Sequence, residues 1–212
     1  MASPQNRKAA YAFEFTGGEL CLDFANTVDH RTDAHRRLDR LASFADLLEW
    51  SRQAGTVSRA DHSVLKRAAG RSAAAGRRTL RRAVALREAI YGAMSAHATG
   101  RSIPRSAIDT ISREAAIAAS HRHIVNLAGS GFAWSWDAAA AQLDRPIWPV
   151  AWSAADLATS ARVNHVRECA FETCGWLFVD TSRNQTRRWC DMRVCGNRAK
   201  VRRFYQRQQS KP

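Results

Sequence analysis

Apolar residues recur along most of the chain three and four positions apart, the spacing that lays them on one face of a helix. Leu20, Cys21, Phe24 and Val28 follow the Gly17-Gly18 turn in this way and lead into the charged stretch Asp29-His30-Arg31. Leu38, Leu41, Phe44, Leu47 and Leu48 repeat the spacing. Ser43 with Asp46 supplies the hydroxyl and acid of a capping box, so a short helix is expected from there to about Trp50. Ser58 with Asp61 opens another. From Ala60 to Gly100 the chain is rich in Ala, Leu and Arg; Leu80, Val84, Leu86, Ile90 and Met94 form an apolar stripe, and a break near Gly70 to Gly76 divides the stretch into two helices. Ser102-Ile103-Pro104 reads as a helix entry ahead of Ile108, Ile111 and Ala115. Ile147 to Thr159 is again helical in spacing, with Trp148, Trp152, Ala155 and Leu157 available for burial.

Period two is rarer. Tyr11, Phe13 and Phe15 alternate as a short strand would. His121 to Leu127 and Phe132 to Trp136 flank Ala128-Gly129-Ser130-Gly131, which predicts a β-hairpin. Residues 1–10 are polar and basic and are expected to fray. The pattern predicts a mainly α chain with small β elements. A helical N-terminal domain containing the hairpin takes residues 1–160, and a small C-terminal domain, beginning around Asn164 to Glu168, takes 161–212.

Composition changes this picture at one end. The 212 residues carry 33 Lys+Arg against 19 Asp+Glu, a net charge of +14 that points to polyanionic partners. The last 51 residues hold 12 of the basic and 4 of the acidic side chains, so +8 of the excess sits in the C-terminal quarter. A hydrophobic share of 45%, with 11 Gly and 5 Pro, excludes a disordered or collagen-like chain. No apolar run reaches the length of a membrane-spanning helix, and MASPQNRKAAYAFEF lacks the apolar core of a secretion signal. A cytoplasmic protein of bacterial type is expected.

Four of the five cysteines lie in that basic quarter, as Cys169-x4-Cys174, 15 intervening residues, and Cys190-x4-Cys195. Two short-range pairs a hairpin apart supply four thiolates for one tetrahedral cation, for which zinc is the natural occupant. Disulfides, free thiols and an iron–sulfur cluster are the alternatives, and His165 is a substitute ligand four residues before Cys169. Four thiolates leave no open coordination position, so one structural Zn²⁺ and no metal chemistry is the expectation. The module is also too small to be stable on its apolar core alone.

Around these cysteines the chain reads Trp189-Cys190-Asp191-Met192, then Cys195-Gly196-Asn197-Arg198-Ala199-Lys200 and Arg202-Arg203. This resembles the zinc finger named for its Cys-Gly-Asn-Arg tetrapeptide, the CGNR finger. Phe15-Thr16-Gly17-Gly18-Glu19-Leu20-Cys21-Leu22-Asp23-Phe24-Ala25-Asn26-Thr27 is similar to the start of the ABATE domain, which precedes that finger in bacterial proteins described as stress-induced transcription regulators. The resemblance implies an ABATE-like regulatory domain over 1–160 and a CGNR-type finger, built as knuckle, hairpin and helix, over 161–212.

A zinc-pinned helix after Cys195 would present Asn197, Arg198, Lys200, Arg202 and Arg203 as donors to phosphates and base edges, with Arg187 and Arg188 adding phosphate contacts from the preceding turn. DNA binding is the leading expectation; a zinc-stabilised adaptor that binds protein through the same helix is the alternative. Asp29, His30, Asp33 and His35 read as a solvated loop in preference to a second metal site. No Gly-x-Ser-x-Gly elbow, phosphate loop or dinucleotide fingerprint is present, so no enzyme is expected. A regulator's body needs an input. Candidates are a small-molecule effector in a pocket at Asp23, Asn26 and Thr27 or walled by Trp134, Trp136, Trp148 or Trp152, and a homodimer through the Ala-rich helices. The competing reading of Asp23 and Asn26 is that they hydrogen-bond neighbouring backbone.

Overall fold

The computed structural model describes residues 11–129, 131–137 and 142–209. Residues 1–10 and Ser130, expected to fray and to turn respectively, lie outside them. The elements run α1 (Leu20–Ala25), β1 (Val28–Asp29), β2 (Leu38–Asp39), α2 (Phe44–Gln53), α3 (Arg59–Arg71), α4 (Ala73–Ala98), α5 (Arg105–Ser120), β3 (Arg122–Leu127), β4 (Gly131–Trp136), α6 (Trp148–Thr159), β5 (Val166–Glu168), β6 (Leu177–Val179) and α7 (Asn197–Gln209). The strands pair only as antiparallel neighbours, β1 with β2, β3 with β4 and β5 with β6. No helix among the described residues is long and apolar enough to cross a membrane.

Helix α4 is the axis, packed against α1, α2, α3, α5 and β5. Leu86, Ile90 and Met94 of its expected stripe are buried, and Ala83, Ala89 and Ala93 let neighbouring elements approach closely. Phe24 meets Trp50 edge-on at 4.8 Å, and Leu22, Leu47, Leu48 and Trp148 complete the centre. The apolar side of α4 is therefore spent on the core, and its exposed side carries Arg77, Arg78 and Arg81. Glu114, 2% exposed, takes two hydrogen bonds from Arg82 Nε and ties α5 to α4.

Helix starts follow the local grammar. Ser43 Oγ accepts from Asp46 N at 3.2 Å, and Asp46 Oδ2 accepts from Ser43 N at 2.7 Å. Replacing Ser43 by Ala is expected to cost about 1 kcal/mol and to lower the thermal midpoint by about 2–4 °C in a melt followed by circular dichroism. The break between α3 and α4 falls at Ser72, whose hydroxyl accepts from Ala75 N.

Two local expectations fail. Residues 11–15 form no strand: Gln53, at the end of α2, accepts from Phe13 N and donates to Tyr11 O, so a side-chain amide does the work of a neighbouring strand. Val28 does not continue α1, which stops at Ala25; it pairs with Asp39 in the short β1–β2 ladder.

The boundary expected at residue 160 is a change of sequence signature and not a gap in packing. Val166, Leu177 and Val179 belong to the same buried cluster as Leu86 and Trp148. On β6 the period-2 alternation serves two cores: Leu177 and Val179 face the body, while Trp176 and Phe178 pack with the four cysteines.

Candidate metal centre

Cys169 follows β5, and Cys174 precedes the turn into β6. Cys190 stands before Asp191, whose side chain accepts from Arg193 N at 2.6 Å; a wide turn closed by Gly196 N to Asp191 O then delivers Cys195 to the foot of α7. All four side chains are buried, at 2–8% exposure, and their sulfurs lie within 4.8 Å of one another. The Cys174–Cys190 and Cys190–Cys195 sulfur separations are both 3.7 Å. A tetrahedral zinc with Zn–S bonds of about 2.3 Å requires sulfurs about 3.8 Å apart, whereas a disulfide requires about 2.05 Å. The donor set fits one structural zinc, and every cysteine is free of disulfides. The negative charge of the cage faces the N-terminus of α7, where the helix dipole favours it. His165 and the Asp29–His35 stretch contribute nothing to this group; among the described residues it is the four cysteines alone. Cys21 is a different kind of thiol, fully buried and pushed up to about 12 by that burial, which leaves it unreactive.

The body grips the first knuckle. Trp176 Nε1 donates to Val28 O at 2.9 Å, Arg31 N to Cys174 O at 3.1 Å, and Thr32 Oγ1 to Glu172 O at 2.5 Å. Gly175 turns there with φ +67°, and a Cβ at that position would lie 2.8 Å from Thr32 Cγ2, so the contact requires glycine. The gripping loop is itself anchored to α4. Arg31 reaches Glu88 at 2.7 Å, and Arg87, 1% exposed, clamps both oxygens of Asp39 at 2.7 and 2.6 Å. Burial works against the Asp39 carboxylate, but the Arg87 hydrogen bonds hold it below the usual range.

Asp23, Asn26 and Thr27 are part of this union and do not line a pocket. Asp23, 9% exposed, accepts from Gly17 N at 2.7 Å, and burial pushes its carboxyl up to about 6. Asn26 donates to Leu177 O and accepts from Leu177 N, both at 2.8 Å, so its amide completes the backbone pairing of β6. Thr27 donates to Phe24 O and accepts from Arg87. Their polar atoms are occupied, which corrects the effector expectation at these positions. The tryptophan pocket is corrected too: Trp148 is buried and stacked on His121, and the Arg122 guanidinium fills the space beside Trp134, Trp136 and Trp152. The cleft between body and finger lies elsewhere, with Tyr11, Asp29, Arg40 and Trp176 on its walls and Arg198 on the finger side.

The basic residues divide. Arg187 is a strut: it donates to Trp189 O at 2.9 Å, to Thr16 O at 3.2 Å and to Cys190 O, with its guanidinium 4.3 Å over Phe178. That corrects its assignment as a phosphate contact. Arg188 is exposed and lies over Trp189. Helix α7 buries no residue. Within it, the Asn197 amide donates back to Arg193 O, Arg202 pairs with Glu172, and Arg203 leans on Ala199 O at 3.4 Å. Arg198 and Lys200 are exposed and have no hydrogen-bond or ion-pair partner among the described residues.

Residues 18–161 match the model of the ABATE family, described as "Putative stress-induced transcription regulator", and residues 165–208 match that of the CGNR zinc finger. No curated protein matches the chain.

Proposed function

The chain belongs to the ABATE family and carries a CGNR zinc finger behind that domain, and from this premise we propose that it is a transcription regulator that binds double-stranded DNA through α7. The observation that carries the reading is a basic helix that buries no residue, rooted in a buried four-cysteine cage, with Arg198 and Lys200 unpaired among the described residues just past Cys195. Metal and body fix the start of the helix, so its donors meet phosphates with little further ordering. Arg202 and Arg203 join them once the Glu172 pair exchanges for phosphate, and Arg188 stands on the neighbouring turn.

The test is fluorescence anisotropy of the zinc-loaded full chain with mixed-sequence duplex DNA, followed by selection of preferred sites. Arg198→Glu with Lys200→Glu is expected to weaken binding by about 100-fold and to lower the slope of log K against log salt by about two, with unchanged zinc content. Equal affinity in the double variant would sink the proposal. The adaptor reading draws on a separate observation: Val201, Phe204 and Tyr205 are each more than half exposed on α7. Loss of a protein partner on Phe204→Ala, with DNA affinity intact, would favour it.

A further inference from the structure

Four acids stand in the finger beyond residue 161, and three of them hold the fold. Glu168 accepts from Ser95 Oγ on α4, Asp180 from Arg187 N, and Asp191 from Arg193 N. Glu172 differs. It is exposed, and its carboxylate pairs across the finger surface with Arg202 of α7. Both side chains are about half in solvent, and a pair so exposed adds little to stability. The pair lies in the lining of a recess of about 200 Å³ between the first knuckle and α7. Ala199, Arg202 and Arg203, at i, i+3 and i+4, share the helix face turned to it, and Arg188 enters from the turn before Cys190. Phe171 and Trp189, both partly buried, supply apolar walls. The frame is rigid: Ala170 N donates to Arg188 O at 2.8 Å, and Phe171 packs on the cysteine cluster from which α7 starts.

We propose that this recess is a seat for one phosphate ester, filled by a backbone phosphodiester when DNA binds, and that Glu172 is an internal competitor for it, held in place by the body. The proposal rests on the DNA reading above and adds what sets the affinity at that surface. Three guanidiniums line the recess where one carboxylate needs one, and arginine grips carboxylate and phosphate with the same two-pronged geometry. Glu172 carries one negative charge, as a phosphodiester does, so the exchange is one for one. Apolar walls thin the water around the seat, and charges act more strongly there than in bulk solvent. The competitor is tethered. Thr32 Oγ1 donates to Glu172 O at 2.5 Å, and the neighbouring Arg31 is held by Glu88 of α4 at 2.7 Å. A carboxylate kept beside its arginine acts at high effective concentration, and loosening its loop lowers that concentration. A change in the body that moves Thr32 therefore reaches the DNA surface through Glu172.

The zinc-loaded full chain is titrated with mixed-sequence duplex DNA across a range of salt. Glu172→Gln is expected to tighten binding about ten-fold and to steepen the slope of log K against log salt by about one, because the displaced wild-type carboxylate takes back a cation and the amide does not. Asp109→Asn removes the same charge from α5 and should change affinity less than about two-fold, the share of net charge alone. In an Arg202→Gln background Glu172→Gln should lose most of its gain. Thr32→Val keeps the side-chain shape, frees the Glu172 carbonyl and should tighten binding about three-fold at unchanged zinc content. A second arm needs no DNA: inorganic phosphate at fixed ionic strength, read by NMR on arginine Nε–H signals, should shift Arg188, Arg202 and Arg203 together and leave Arg77 of α4 unmoved. Saturation should come at about ten-fold lower phosphate in E172Q. Wild-type affinity in Glu172→Gln or Thr32→Val, a gain matched by Asp109→Asn, or phosphate shifts indifferent to Glu172 would overturn the proposal while the DNA reading stands. Glu172-dependent phosphate shifts in a chain that binds no DNA would keep the seat for a free phosphate and sink the DNA reading.

Discussion

Removing zinc is expected to melt the whole protein and not the finger alone. Val166, three residues before Cys169, and Leu177 and Val179, between Cys174 and Cys190, sit in the main core, so the ladder that closes the cage also fills the body. Structural zinc binds finger peptides with an apparent free energy of about 10–16 kcal/mol at pH 7, as large as the entire stability of an ordinary domain. If even a third of that reaches the body, Cys190→Ser or chelation costs about 4 kcal/mol and lowers the thermal midpoint by about 8–16 °C. A calorimetric scan should show one transition moving as a unit. A body transition unchanged by chelator would mean that β5 and β6 hold their pairing without the metal.

Asn26→Ala is expected to be nearly as damaging, although Asn26 touches neither metal nor DNA. The Asn26 side chain is the partner of both the N–H and the C=O of Leu177, in a site that is 3% exposed at Asn26 and fully buried at Leu177. Truncation strands two buried backbone groups at about 1–3 kcal/mol each, so a loss of about 2–6 kcal/mol is expected in urea unfolding of the zinc-loaded chain. Asn26→Asp keeps an acceptor for Leu177 N but sets its second oxygen against Leu177 O, and should lose a similar amount. A variant within 0.5 kcal/mol of wild type, about the scatter of a surface change, would contradict this account of the joint.

Features written in nearby residues were legible in the sequence. The cysteine spacing gave the cage, Ser43 with Asp46 gave the start of α2, and the glycine turn gave the β3–β4 hairpin. Each is a contact between residues close in the chain or a set of ligands with one shared chemistry. What stayed hidden depends on partners far apart. Asn26 and Leu177 are 151 positions distant, and nothing local separates an asparagine that mimics a strand from one that lines a pocket. Arg187 and Arg188 are adjacent and identical in composition, yet one is a strut under the cage and the other reaches solvent. Alternation along β6 was visible only as apolar residues, because a period of two cannot say that its two faces belong to different cores.

Helix α7 is held at one end. It buries no side chain, and its 13 residues are about the length at which an isolated helix is marginal in water. Its first turn is nucleated by the cage, which removes the costly step of helix formation, and the turns beyond it are exposed. A ligand lying along the helix therefore does two things in one event: it makes contacts and it steadies the exposed turns against fraying. The enthalpy and heat capacity of binding should carry a folding contribution that grows with the reach of the ligand toward Gln209, and a duplex long enough to span α7 should raise helical content where a shorter one does not.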